Sequence, residues 1–335
     1  MNRRFMGAAA ALLMVIPQTS CSFTARDLNE VRHDIQIPPT MLFLGDSIPA
    51  GYGLDGYSAE DLYKCRSYAN ILCDRYGKEL PEDCKEKMMN YAVSGAESSD
   101  LLELVESGKI DSELAESDAV VVSIGGNDLL GIMLGIIGKL GYNAETGTFD
   151  TGNIDIFTAA SMLTSMGTEA DAALDGFEEN IVLIADAINA RTDGQLYIQT
   201  LYDPLEYFDR FSSVTKFSDE KIGRFNDIIE EKSDGRYEVI DVAADFKGRA
   251  DKLTNIRSFD IHPNAEGHEH IAEDVDAAFR RTGFSYTTEE YGEEYLTGAG
   301  DAAIAGGIAA VLAVIIGAIG IAGSKRKKRK QQEKR

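Results

Sequence analysis

The chain has 335 residues, with 56 acidic and 33 basic side chains and a net charge of −23. A body this acidic repels polyanions, which excludes nucleic acid as a partner. The length suffices for one sizeable domain with additions at its ends.

At the N-terminus, Asn2-Arg3-Arg4 precedes an apolar stretch from Phe5 to Ile16 that ends at Pro17. A short charged region, an apolar run and then small residues read as a secretory signal over residues 1–25. Ser20-Cys21 is similar to a lipoprotein processing site, although Gln18 fits that pattern poorly.

Five apolar runs then read as strands: Met41–Gly45, Lys87–Val93, Ala119–Ile124, Gln195–Leu201 and Tyr237–Val242. Amphipathic stretches between and after them read as helices: Ser58–Tyr76, Ser98–Ser107, Glu169–Arg191, Asp219–Ser233 and Asn264–Arg281. Strands that are apolar throughout are covered on both faces. Each is followed by a helix, so the expected class is α/β. The expected architecture is a doubly wound, flavodoxin-like sheet of five parallel strands in three α/β/α layers. The domain is expected over residues 26–285. Residues 129–166 break the alternation and read as an insertion after Asn127, either a lid or acyl-pocket wall, or extra helices packed on the body.

The cysteines are Cys21, Cys65, Cys73 and Cys84. Cys65 and Cys73 are expected on one helix, about 12 Å apart and too far to bond. Cys84 follows the turn at Gly77–Pro81, so the expected bridge is Cys65–Cys84 with Cys73 a buried thiol. No spacing suggests a zinc site.

Residues 286–301 are rich in glutamate and glycine and read as an acidic, solvated tether. Residues 302–322 form an uncharged apolar run long enough to span a bilayer. The basic tail 323–335 follows, with eight cations from Lys325 to Arg335. Positive charge stays on the cytoplasmic side, which places the domain outside the cell on a single-pass anchor. A cell-wall sorting signal is the other reading, but Tyr295-Leu296-Thr297-Gly298 lacks that signal's proline.

Four short blocks carry the chemistry. Phe43-Leu44-Gly45-Asp46-Ser47, Asn90-Tyr91-Ala92-Val93-Ser94-Gly95-Ala96 and Ser123-Ile124-Gly125-Gly126-Asn127-Asp128 each end just past a strand. Asp260-Ile261-His262-Pro263-Asn264 precedes the last helix. Ligands of such sheets bind at the carboxyl ends of the strands. A hydroxyl, an imidazole and a side-chain amide gathered there are the parts of an acyl-transfer site. Asp46 reads as structural, holding its turn through side-chain bonds. His33 precedes the domain, and His268 and His270 read as surface residues of a helix.

In this order the blocks resemble the SGNH/GDSL hydrolase superfamily, especially its bacterial lysophospholipase-like esterases, over about Met41–Arg281. The resemblance implies a serine ester hydrolase without metal or organic cofactor. It implies Ser47 as nucleophile, His262 as base, and an oxyanion hole from the backbone N–H of Ser47, that of Gly95 and the side chain of Asn127. The family's acid usually lies three residues before the histidine, where this chain has Phe259. Asp260, two before, is the candidate, with another carboxylate such as Asp203 or a Ser-His dyad as alternatives. The expected substrates are acyl esters of small alcohols or lysolipids. The alternatives are a carbohydrate O-acetylesterase and, in a different class, a catalytically inactive surface binding module.

Overall fold

Side chains along a strand alternate between its two faces, and here that alternation sorts the core into two halves. Leu42, Leu44, Val120, Val122, Leu196 and Ile198 pack on one side of the sheet. Met41, Phe43, Ala119, Val121 and Tyr197 pack on the other. The structure, a computed structural model, describes residues 23–332 apart from 83, 85–86, 130–131, 133–141, 144–147, 150–155 and 209–211. The signal-like segment up to residue 22, with Cys21, and most of the 129–166 insertion lie outside the described residues.

The sheet has five strands: β1 (Thr40–Gly45), β2 (Lys87–Asn90), β3 (Ala119–Ser123), β4 (Gln195–Gln199) and β5 (Glu238–Ile240). Their order is β2-β1-β3-β4-β5 and every pairing is parallel. Helices cover both faces, in the three-layer arrangement that the apolar strands imply. Those that cover the sheet are, in chain order, among α1 (Ser47–Ala50), α2 (Tyr68–Glu79), α3 (Ser98–Glu106), α4 (Asp111–Glu116), α5 (Ile156–Asn189), α6 (Ser212–Ser233), α7 (Val242–Phe246), α8 (Ala250–Leu253) and α9 (Ala265–Thr282); a further helix, α10 (Gly298–Gln332), lies in the terminal segment.

Several boundaries differ from the sequence reading, each for a local reason. Residues 58–66 are turns rather than the start of α2, because Ser67 caps the helix and accepts from the backbone N–H of Asn70. The Asn70 side chain then donates to the carbonyls of Leu62 and Cys65, which fixes the turns. Cys65 therefore sits before the helix rather than on it. It is a buried free thiol directed at the carbonyl of Ala50, so the Cys65–Cys84 bridge is not formed. Cys73 does pack against the core. Upstream of Glu169, α5 runs back to Ile156, so the last part of the insertion is helix.

Strands Leu28–Ile35 and Phe284–Tyr291 form a small two-stranded sheet, and Thr24–Ala25 pairs antiparallel with Tyr295–Leu296. The segment read as an acidic tether thus carries strand structure over part of its length. The aromatic Tyr286 and β-branched Thr287 and Thr288 suit that state better than the segment's charge suggests. The chain divides into two units, residues 32–286 and the two terminal segments 1–31 and 287–335. In the second, α10 contains a 23-residue stretch, Gly298–Gly320, long and apolar enough to cross a membrane.

Gly45 is where the sheet admits no substitute. Its φ is +129°, and a Cβ there would lie 1.8 Å from the carbonyl oxygen of Ser123. Gly45→Ala is expected to lower the urea midpoint by the equivalent of about 3 kcal/mol, since overpacking and an unfavourable φ add. Gly176, on the exposed face of α5, has nothing within 4 Å of where a Cβ would stand. Gly176→Ala should instead stabilise by about 0.5–1 kcal/mol. Equal effects of the two substitutions in urea unfolding would contradict this reading.

Candidate active site

Past Gly45 the chain cannot continue along the sheet, because the N–H of Asp46 turns to donate to the Ser123 carbonyl at 3.1 Å. Asp46 then caps the short α1, its Oδ1 accepting from the Ile48 N–H at 3.0 Å. That cap places Ser47 in the first turn of α1 at the carboxyl edge of the sheet. Asn90, at the end of β2, ties in the next block. Its Nδ2 donates to the carbonyl of Pro49 in α1, while its Oδ1 accepts from the Ala92 N–H.

His262 arrives from the other end of the sequence on a closed loop. Thr254 and Pro263 form an antiparallel bridge across it, and the Asn255 N–H donates to the His262 carbonyl at 2.9 Å. Inside the loop the chain turns at Phe259, the single non-glycine among the described residues with positive φ (φ 60°, ψ 30°). Left-handed backbone at a bulky residue costs on the order of 1–3 kcal/mol. Burial offsets it, since the Phe259 ring packs against the core and edge-on to Phe208.

The turn delivers the carboxylate of Asp260 to His262. Asp260 Oδ1 accepts from the His262 backbone N–H at 3.0 Å and lies 2.5 Å from its Nδ1. The opposite ring nitrogen, Nε2, is 2.9 Å from Ser47 Oγ. Hydrogen bonds thus run continuously from Asp260 through the imidazole to the serine hydroxyl. With Asp260 ionised, Nδ1 carries the proton and Nε2 accepts from Ser47. Burial raises the Asp260 pKa, but bonds from the His262 ring and backbone N–H and from Asn255 outweigh it and hold the carboxyl below its usual value.

Asn127 lies with Ser47 and His262 in the wall of one cavity. Its Nδ2 donates to the Ala96 carbonyl at 2.8 Å, which orients the amide and leaves its second N–H for an oxygen ligand. The neighbouring Asp128 locks this loop to the start of α3, accepting from both the N–H and the hydroxyl of Ser98. Gly95 has φ +88° and open space around its Cα, and it lines a separate depression with Tyr91 and Val93 rather than this cavity.

Four contributors were not legible in the sequence. Tyr52 sets its ring against that of His262 at a 51° tilt, with centroids 4.6 Å apart. Tyr202 donates its hydroxyl to the Ile261 carbonyl, and Asn255 bonds Asp260. Asn90 stood in the second block, but nothing marked its side chain as a brace. Two other expectations are corrected. His268 is fully buried, with Nδ1 accepting from the Tyr68 N–H, and burial lowers its pKa to about 3. Its i, i+3 and i, i+4 spacing from the buried Ile271 and Ala272 places it on the inward face of α9. Asp203 is bonded to Ser218 and to the Leu205 N–H, away from His262. No group of three or more His, Cys, Asp or Glu suited to a metal occurs among the described residues.

A model of the GDSL-like lipase/acylhydrolase family matches residues 43–270, most of the chain. The chain belongs to this family. It is an ester-hydrolysing enzyme of the GDSL lipase/esterase type. It is 26% identical over 238 residues to the spore germination lipase LipC of Bacillus licheniformis, covering 70% of this chain and 93% of that protein. It is 23% identical over 289 residues to the uncharacterised protein YpmR of Bacillus subtilis, covering 84% of this chain and 98% of that one. Among solved structures, the fold is shared with an extracellular lipase from Streptomyces rimosus (TM-score 0.53, 16% identity, 71% of this chain and 99% of that one). It is shared equally with the lipase Lip_vut3 from a goat rumen metagenome (TM-score 0.52, 22% identity, 71% and 96%).

Asp46 offers a test of how dry the site is. Burial raises its carboxyl pKa to about 7, opposed by the Ile48 N–H and the facing His262 and reinforced by Asp128. The folded state therefore keeps a proton that an unfolded aspartate releases near pH 4. Stability should fall as pH rises from about 4 to 7, by up to about 1.4 kcal/mol per unit, and level off above. Asp46→Asn removes this dependence and keeps an acceptor for Ile48. The stability difference between wild type and Asp46→Asn, measured by urea unfolding at pH 4.5 and 7, should shift in favour of the variant at the higher pH. A constant difference would contradict a buried, protonated Asp46.

Proposed function

We propose that this family member is a serine ester hydrolase using Ser47, His262 and Asp260, held outside the cell by α10. The hydrogen-bonded chain from Asp260 through His262 to Ser47 Oγ carries the reading. Free serine is a weak nucleophile and needs such an adjacent base.

In this mechanism Ser47 Oγ attacks the ester carbonyl carbon as its proton passes to His262 Nε2. The carbonyl oxygen becomes an oxyanion, to which the Asn127 side chain and the backbone N–H of Ser47 would donate. The tetrahedral species collapses, the ester C–O bond breaks, and His262 gives its proton to the departing alcohol. Water then attacks the acyl-serine, His262 takes its proton, and the second collapse returns the proton to Ser47 and releases the carboxylic acid. Asp260 stays ionised throughout, fixing the tautomer and balancing the imidazolium charge.

The apolar stretch Gly298–Gly320 followed by the cations Lys325–Lys330 supports an anchor with its tail inside the cell. Mild external protease treatment of intact cells should release the esterase activity. Activity found only in the cytosol would refute the topology.

Ser47→Ala should abolish hydrolysis of nitrophenyl acetate while the far-UV spectrum and unfolding midpoint stay close to wild type, since losing one polar contact costs about 1 kcal/mol. Asp260→Asn should lower turnover by about 10⁴, the effect seen when a triad acid becomes its amide. A fall smaller than about tenfold would remove Asp260 from the mechanism and leave a Ser47-His262 dyad.

A further inference from the structure

The cavity at Ser47 has a volume of about 40 Å³. An apolar cavity of about 150 Å³ is what takes up a benzene ring, so this one admits only a few carbon atoms. Beyond Asp46, Ser47, Asn127 and His262 its wall is mostly apolar, with Pro204, Leu205, Ile222 and Ile261 beside Leu201 and Tyr202. Leu205 and Ile222 are only 2% and 5% exposed and belong to the core. They come from different elements, Leu205 from the 3-10 turn Pro204–Phe208 and Ile222 from α6.

A pair of hydrogen bonds locks those two elements together. The Ser218 hydroxyl of α6 donates to Asp203 Oδ1 at 2.5 Å, and the same oxygen accepts from the Leu205 N–H at 2.8 Å. Ser218 and Ile222 are four residues apart, on one face of α6. Asp203 therefore clamps the 3-10 turn to the helix face that presents Ile222. The segment leading into the turn is held as well, because Asn226 of α6 pairs with both the N–H and the carbonyl of Leu201. To yield to a longer chain, the wall would have to break these hydrogen bonds together, which opposes its movement.

We infer that Leu205 and Ile222 form a fixed stop that limits this enzyme to esters of short acyl groups, about two to four carbons, and excludes long-chain lipids. The inference rests on the serine-hydrolase reading above, and it assigns the specificity-determining residues of that same site. A rigid apolar pocket discriminates by roughly 10–200-fold for a methylene that does not fit. The stop is thus expected to act as a steep cut-off in acyl length.

The test is a series of nitrophenyl esters from acetate to palmitate, with palmitoyl lysophosphatidylcholine, on the full chain in detergent. Wild type, Ile222→Ala, Leu205→Ala and the milder Ile222→Val are compared, with thermal unfolding recorded for each. Wild-type kcat/KM should peak at acetate or butyrate and fall at least about tenfold by octanoate. The lysolipid should not be hydrolysed measurably. Ile222→Ala and Leu205→Ala should raise the octanoate-to-butyrate ratio about tenfold or more, and Ile222→Val should move it the same way by less. If the alanine variants do not fold, the Ile222→Val ratio decides. A wild-type optimum at octanoate or longer, or hydrolysis of the lysolipid at a rate near that of butyrate, overturns the short-acyl assignment. A short-chain optimum with an unchanged ratio in folded variants overturns the role of Leu205 and Ile222. Failure of wild type on every ester overturns the hydrolase reading itself, a result distinct from either.

Discussion

The approach of Gly45 to Ser123 is the constraint on which this site depends. Two central strands run so close at their carboxyl ends that a single Cβ has no room. The backbone therefore leaves the sheet at once, and Asp46 bonds the neighbouring strand and caps α1. The nucleophile candidate stands on the next residue, so its position is set by the sheet itself, the stiffest part of the fold. The oxyanion candidate Asn127 follows the strand on the other side of this contact and is braced by Asp128 and Ser98.

The imidazole reaches the serine by a different device. No strand of the sheet carries His262, and a loop of ten residues between Thr254 and Pro263 has to be made rigid by its own bonds. It spends conformational energy at Phe259 and recovers it by burying that ring. With Asp260 Oδ1 accepting from both the backbone and the ring of His262, the carboxylate fixes the residue's conformation and its tautomer together. The acid two residues before the histidine thus makes the contact that a longer spacing serves elsewhere in the resembled superfamily.

The substrate side of the site is built on the same economy of motion. Hydrogen bonds of Asp203, the buried Ser218 and Asn226 hold apolar side chains in place along the cavity. Asp46 is buried, and burial pushes its carboxyl up to about 7. Charge is scarce within the cavity wall even though the chain as a whole is strongly acidic.

Much of this was determined by the sequence alone. Runs such as Ala119–Ile124 are apolar on both faces, which only a sheet covered by helices satisfies, and their alternation with helical patterns leaves parallel order as the consistent topology. The four blocks in their order likewise marked Ser47 and Asn127, which stand where strands end, and His262, which precedes the last helix of the sheet domain. What local pattern could not decide was anything set by contacts distant in the chain. Cys65 looked helical until the Asn70 side chain claimed its carbonyl. His268 looked exposed until Tyr68, 200 residues away, donated to it. The geometry of Asp260 depends on a left-handed phenylalanine, a conformation that no propensity favours and only tertiary packing sustains. The size of the cavity belongs to the same class, since it is fixed by where the 3-10 turn and α6 meet, and that distance is a property of the packed core.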